Sequence, residues 1–197
     1  MAVDGKLGSV SRNDERARGN GHAPVIRTAV LAEDNGEYPV GMLLAENDSG
    51  EGIPYEVVTE EAVGTGDGAE TDFSGSLASA PVQPGTVTVS DGVETFTDDG
   101  MGNLTGDAGG TGSVNYKTGA VSVSFNAAPA NEAAVEAGYG RKLKGVLDED
   151  VDTAKSTAGL YVAHGSVRTD ILKIGIAGDD PTTAQLAMLE SMGIWPE

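Results

Sequence analysis

Val121-Ser122-Val123-Ser124-Phe125 alternates apolar and hydroxyl side chains without a break. In a strand, successive side chains point to opposite faces. Val121, Val123 and Phe125 therefore fall on one buried face and the two serines on the other. The same period recurs in Thr86-Val87-Thr88-Val89, in Val93-Glu94-Thr95-Phe96-Thr97 and in Ala133-Ala134-Val135-Glu136-Ala137, with glycine-rich turns between them. Residues 114–121 read as a hairpin, Gly119 supplying the positive φ that its short loop requires. Six or seven short strands at this spacing predict a small β-sandwich over residues 56–139.

Charge sets the same stretch apart. It carries thirteen acids against one base, Lys117, a net −12 of the chain's −19. Glycine, at 29 of 197 residues, stands at roughly twice its usual share of about 7%. A mainly β, turn-rich protein follows. Such an acidic balance argues against a general nucleic-acid binder, whose affinity comes from clustered Lys and Arg. No apolar run approaches the roughly 18 residues of a spanning helix, and the N-terminus shows no apolar signal-peptide core, so no membrane partner is expected. Without cysteine there is no disulfide, no thiolate nucleophile and no cysteine-based zinc site.

The flanks read as a second unit, split by the insertion into residues 24–55 and 140–197. Residues 25–32, 38–46, 143–147 and 159–167 are strand candidates, with Asp34-Asn35-Gly36 and Asn47-Asp48-Ser49-Gly50 as turns. One helix is expected near the end. Asp180 suits its N-cap and Pro181 its first position, and Ala184, Leu186, Met188, Leu189 and Met192 supply its apolar residues before Gly193 stops it. Leu186, Leu189 and Met192 are its docking residues, with Ile194 and Trp195 folding back. Residues 1–23 have little apolar content and no sustained period. They read as a flexible arm, disordered when free and ordered on a partner, an acidic one given Lys6, Arg12, Arg16 and Arg18.

Catalytic and cofactor chemistry finds no footing. His164, Ser166 and Asp170 lie within seven residues of one another and no Gly-x-Ser-x-Gly elbow occurs. His164 lacks a second histidine at helical spacing and reads as a structural or surface residue. Gly64-Thr65-Gly66-Asp67-Gly68 has no helix after it to hold a phosphate. Asp98-Asp99-Gly100-Met101-Gly102-Asn103 offers oxygen ligands but misses the calcium-loop spacing, so an acidic hairpin turn is the reading. No enzyme activity, metal or cofactor is expected.

The segments Gly145-Val146-Leu147-Asp148-Glu149-Asp150-Val151-Asp152-Thr153 and Gly159-Leu160-Tyr161-Val162-Ala163-His164-Gly165-Ser166-Val167-Arg168, with Leu172 beyond them, resemble the core motif of tailed-bacteriophage head decoration proteins of the lambda type. The ending, from Thr183 to the Gly193-Ile194 exit, is similar to that family's terminal helix. Pro39-Val40-Gly41-Met42-Leu43-Leu44 and Gly50-Glu51-Gly52-Ile53-Pro54-Tyr55 are similar to its early strand segment. The resemblance covers residues 24–55 and 141–197, and the insertion departs from the family's compact pattern. It resembles a β module of phage structural proteins. The resemblance implies a β-clip-like domain and a homotrimer on the major capsid protein, at the outer surface of the virion's expanded head, made in the bacterial host cytoplasm. It also implies an N-terminal segment that orders against the capsid, carrying Lys6, Arg12, Arg16 and Arg18. A different class remains open at this point: an adhesin-like or carbohydrate-binding β module of a phage tail or cell surface.

Overall fold

The structure is a computed structural model, and it describes residues 15–197. In chain order the first eight strands are β1 (Val25–Val30), β2 (Glu37–Tyr38), β3 (Leu43–Glu46), β4 (Gly52–Pro54), β5 (Val57–Thr65), β6 (Asp72–Ser76), β7 (Thr88–Ser90) and β8 (Thr95–Asp98). Then come β9 (Asn103–Gly106), β10 (Thr111–Val114), β11 (Ala120–Ser124), β12 (Ala134–Gly140), β13 (Leu143–Leu147), β14 (Val151–Asp152) and β15 (Ala158–Val167). A 3₁₀ turn (Thr169–Ile171), helix α1 (Thr183–Ser191) and β16 (Ile194–Pro196) complete the chain. At 46% strand and 7% helix the described residues are mainly β, with one α-helix among them.

Strands β5 to β12 form one antiparallel ladder in the order β5-β12-β7-β8-β9-β10-β11-β6. The ladder rolls into a nearly closed, sandwich-like barrel, because its two end strands come together. Gly64 of β5 lies against the Phe73 ring of β6, where a Cβ would sit 2.6 Å from the ring. Val87, Val89, Phe96, Leu104, Val121, Val123, Phe125 and Val135 fill the interior. Phe125 meets Phe96 and Phe73 edge-on, with centroids 4.9 and 5.7 Å away. Alternation thus sets the inward face as the period of two requires.

A second sheet runs in the order β1-β15-β13-β3-β4, with β16 parallel to the far half of β15, and β2 and β14 pair apart from it as a two-stranded sheet. Leu31, just past β1, bridges to Gly52 of β4, so this sheet also curls back on itself. Both of its faces are covered. Leu43, Ala45, Val146, Val162 and Val167 cluster with Leu189 of α1 and Ile194 of β16. Leu44, Leu147, Tyr161, Met42 and Leu31 face the other way, onto Tyr38 of β2 and Val151 of β14. Burial on both faces explains why Leu43-Leu44-Ala45 and Gly145-Val146-Leu147 are continuous buried runs rather than alternating ones.

Among the described residues, the three apolar clusters do not mix across the insertion: one draws on residues 58–139, the other two on residues outside it. The chain leaves and returns at one place, since Val57 pairs with Gly140 and Val58 with Tyr139. A short loop ties the two units further. The Lys142 N–H donates to the Pro81 carbonyl, and the Leu143 N–H to Gln83 Oε1 at 3.0 Å.

Two elements differ from their sequence readings. Residues 38–46 are not one strand: Gly41, at φ +86°, turns the chain between β2 and β3, and the Val40 N–H donates to Asp150 Oδ1 at 2.7 Å. The helix starts two residues late. Its N-cap is Thr182, whose hydroxyl accepts from the Gln185 N–H while Gln185 Oε1 accepts from the Thr182 N–H. That reciprocal box satisfies two end donors at once. Asp180 instead pairs with Lys173 Nζ at 2.6 Å.

Candidate functional site

Residues 15–23, placed by sequence in the arm, form a strap laid across the end of β15. Ala17 is fully buried among the residues under α1. Arg18 bridges Val167 in antiparallel sense, the Gly19 N–H donates to the Ser166 carbonyl, and the Arg168 N–H donates to the Ala17 carbonyl. Gly165, at φ +111°, lets the strap cross closely, for a Cβ there would lie 2.6 Å from Pro24 Cα. From Glu15 onward the chain therefore belongs to the fold.

Charge reinforces the docking. Asp148, fully buried at the end of β13, accepts the Arg18 backbone N–H at 3.0 Å, and its second oxygen lies 2.6 Å from Arg18 Nη2. Arg168 pairs with Asp170 at 2.7 Å and with Glu15 at 3.0 Å. The hydrogen bond from Arg168 holds the Asp170 carboxyl below its ordinary range. Glu197 accepts the backbone N–H groups of Asn20 and Gly21, and these donors lower its own carboxyl likewise. Both histidines and the single tryptophan meet here. His22 lies 5.4 Å from His164 and 4.8 Å from Trp195, and His164 lies 5.0 Å from Trp195, centroid to centroid.

The four bases singled out from sequence divide accordingly. Lys6 and Arg12 lie outside the described residues. Arg18 is engaged within the protein by Asp148, so its charge is compensated before any partner arrives. Arg16 donates to the Glu15 carbonyl at 3.2 Å and has no carboxylate partner among the described residues. No known protein family, curated protein or solved structure matches this chain.

Ser166 Oγ accepts the His22 N–H at 2.8 Å, and Asp170 is held by Arg168, so the three residues weighed as a triad serve the strap. The acidic turn at 98–103 is also internally used: Asp99 accepts from Met101, Asn103 and the Asn103 amide, and Asp98 from Gly100 and the Tyr116 hydroxyl. Gly66 packs its backbone onto the Ala130 carbonyl, where a Cβ would approach to 2.3 Å. Two buried carboxylates escaped the sequence reading. Asp148 sits in an Asp-Glu-Asp run, where nothing in the local pattern marks one acid as buried. Glu94 looks like any other acid of the acidic module, yet it accepts from Gly110 at 2.6 Å and Asn126 at 2.8 Å.

Among the described residues no cluster of three or more His, Asp or Glu side chains is placed to hold a metal ion, and no helix is long and apolar enough to cross a membrane. The arrangement anchors both ends of the described chain to the end of β15, the strap on one side of it and β16 on the other. It presents Arg16 beside them.

Proposed function

We propose that this chain is a decoration protein of a tailed-phage head, a β-clip-like domain of the lambda type interrupted by an acidic β module. The observation that carries the reading is that the separate motifs bearing the resemblance are neighbours in space. Gly145-Val146-Leu147 is β13 and pairs with β15, the Tyr-containing strand, through Val146–Val162 and Leu147–Tyr161. The helix exit, Gly193-Ile194, leads into β16 on that same β15. Asp148, opening the turn between β13 and β15, receives the N-terminal strap.

On this reading the chain is a homotrimer bound to the major capsid protein on the outside of the expanded head. Three modest contacts acting together hold far more tightly than one, which is how a small subunit clamps its neighbours against internal pressure. Lys6, Arg12 and Arg16 are the bases that would bind the capsid. The inserted module, net −12, projects into solvent and keeps particles apart by like-charge repulsion.

Co-sedimentation with heads stripped of decoration tests this. The protein should pellet saturably with expanded heads and stay in the supernatant with unexpanded ones. Equal pelleting with both, or with neither, contradicts the reading.

A further inference from the structure

An open groove of about 640 Å³ runs between α1 and the outer face of the inserted barrel. Its floor is the start of β5, the end of β12 and Thr88 of β7, and its opposite wall is the Ala184, Ala187 and Met188 face of the helix. The size falls within the range of binding clefts, and the place, between two units, is where such clefts concentrate. Its chemistry departs from the rest of the molecule. None of its eighteen lining residues is charged, although 22% of the chain is.

Two polar groups in the groove are unused. Tyr55, 2% exposed, packs its ring in the core, and its hydroxyl has no hydrogen-bond partner among the described residues. Gly140 keeps the space beside it open, since a Cβ there would lie 2.4 Å from that oxygen. Gln185, 7% exposed, gives its Oε1 to the Thr182 cap, leaving its NH₂ without a partner among the described residues. The amide NH₂ can only donate and the phenol can donate, so acceptors such as carbonyl oxygens suit both. At the groove's border β5 is the terminal strand of its ladder. It hydrogen-bonds β12 alone, and its far half closes on β6 at Val63 and Gly64, so the open edge is the start of the strand, where Val57 is 51% exposed. An extended chain meets all three demands: carbonyl acceptors, no charge, and a backbone able to continue a ladder.

We propose that this groove binds an extended, uncharged segment of a partner protein, rich in small aliphatic side chains, whose carbonyls accept from Tyr55 and Gln185. The inference is independent of the capsid reading. The test uses the full chain on an array of capped hexapeptides built from Gly, Ala, Val, Thr and Ser, beside a matched array with Glu or Lys at alternate positions. Retention on the uncharged array should saturate and exceed the charged one at least fivefold. Tyr55→Phe should weaken it several-fold while leaving the melting temperature unchanged, because the hydroxyl bonds nothing among the described residues. Ala187→Glu, on the exposed helix face, should abolish it. Equal retention on the two arrays, or retention that survives Ala187→Glu, overturns the proposal. So does an oligomer that dissociates on Ala187→Glu, which would put a second copy in the groove.

Discussion

Glu94 shows how much one buried side chain can organise. It lies in the barrel at 3% exposure and ties the loop before β8 to the β9–β10 turn and to the chain after β11 through Gly110 and Asn126. Removing it orphans two donors, at about 1–3 kcal/mol for a fully buried group. Glu94→Ala should therefore cost about 2–4 kcal/mol in urea unfolding, and Glu94→Gln less, since one acceptor oxygen remains. An unchanged midpoint for Glu94→Ala would refute the role. Tyr116 offers a pH test in the same barrel. Burial, and then the hydrogen bond to Asp98 and its charge, pushes its hydroxyl up to about 12. An unfolded tyrosine loses its proton near about 10. The protonated form is thus favoured by folding: its contribution is whole below about pH 10 and is lost as pH rises through about 12. Absorbance titration at 295 nm, wild type minus Tyr116→Phe, should remove the latest-ionising tyrosine, not one titrating near pH 10. Neither Glu94 nor Tyr116 was legible in sequence, because a local period assigns a face and says nothing of a polar partner 16 to 32 residues away.

At the scale of elements, α1 was legible as a helix with its stop at Gly193, but its start was not. Asp180-Pro181 has the composition of a helix start. The capping box of Thr182 and Gln185 outcompetes it, and the Lys173 ammonium draws Asp180 away. Thr182→Ala should cost about 1 kcal/mol, and Asp180→Ala should stay within about 0.5 kcal/mol. Leu189, fully buried, should cost about 2–5 kcal/mol as Leu189→Ala. Thermal melts order the three, and an Asp180→Ala effect larger than that of Thr182→Ala would restore the sequence reading of the cap. The strap was the larger miss. Residues 15–23 carry too little apolar content to announce docking, and what holds them is Asp148, Ser166 and Glu197, distant in sequence. Arg18→Gln should therefore speed amide exchange over residues 17–22 while the amides of β12 keep their protection. Uniform loss of protection would mean that the strap and the barrel unfold as one.

For the whole molecule, the charge step and the change in period at residues 56 and 140 coincide with a change of sheet, because each sheet closes its own apolar core. Replacing residues 58–138 by a short Gly/Ser linker should leave a folded protein, since no core residue outside the insertion is lost and loop closure changes slowly with length. Its melting temperature should fall, because the Pro81 and Gln83 bonds to Lys142 and Leu143 go with the module. The most direct measurement of the proposed role is a pair of electron-microscopy maps of expanded heads with and without this protein. The account expects three-lobed density over the threefold and quasi-threefold positions of the outer surface, present only with the protein, its distal lobe missing for the spliced chain. Identical maps, or density at the tail alone, would contradict it.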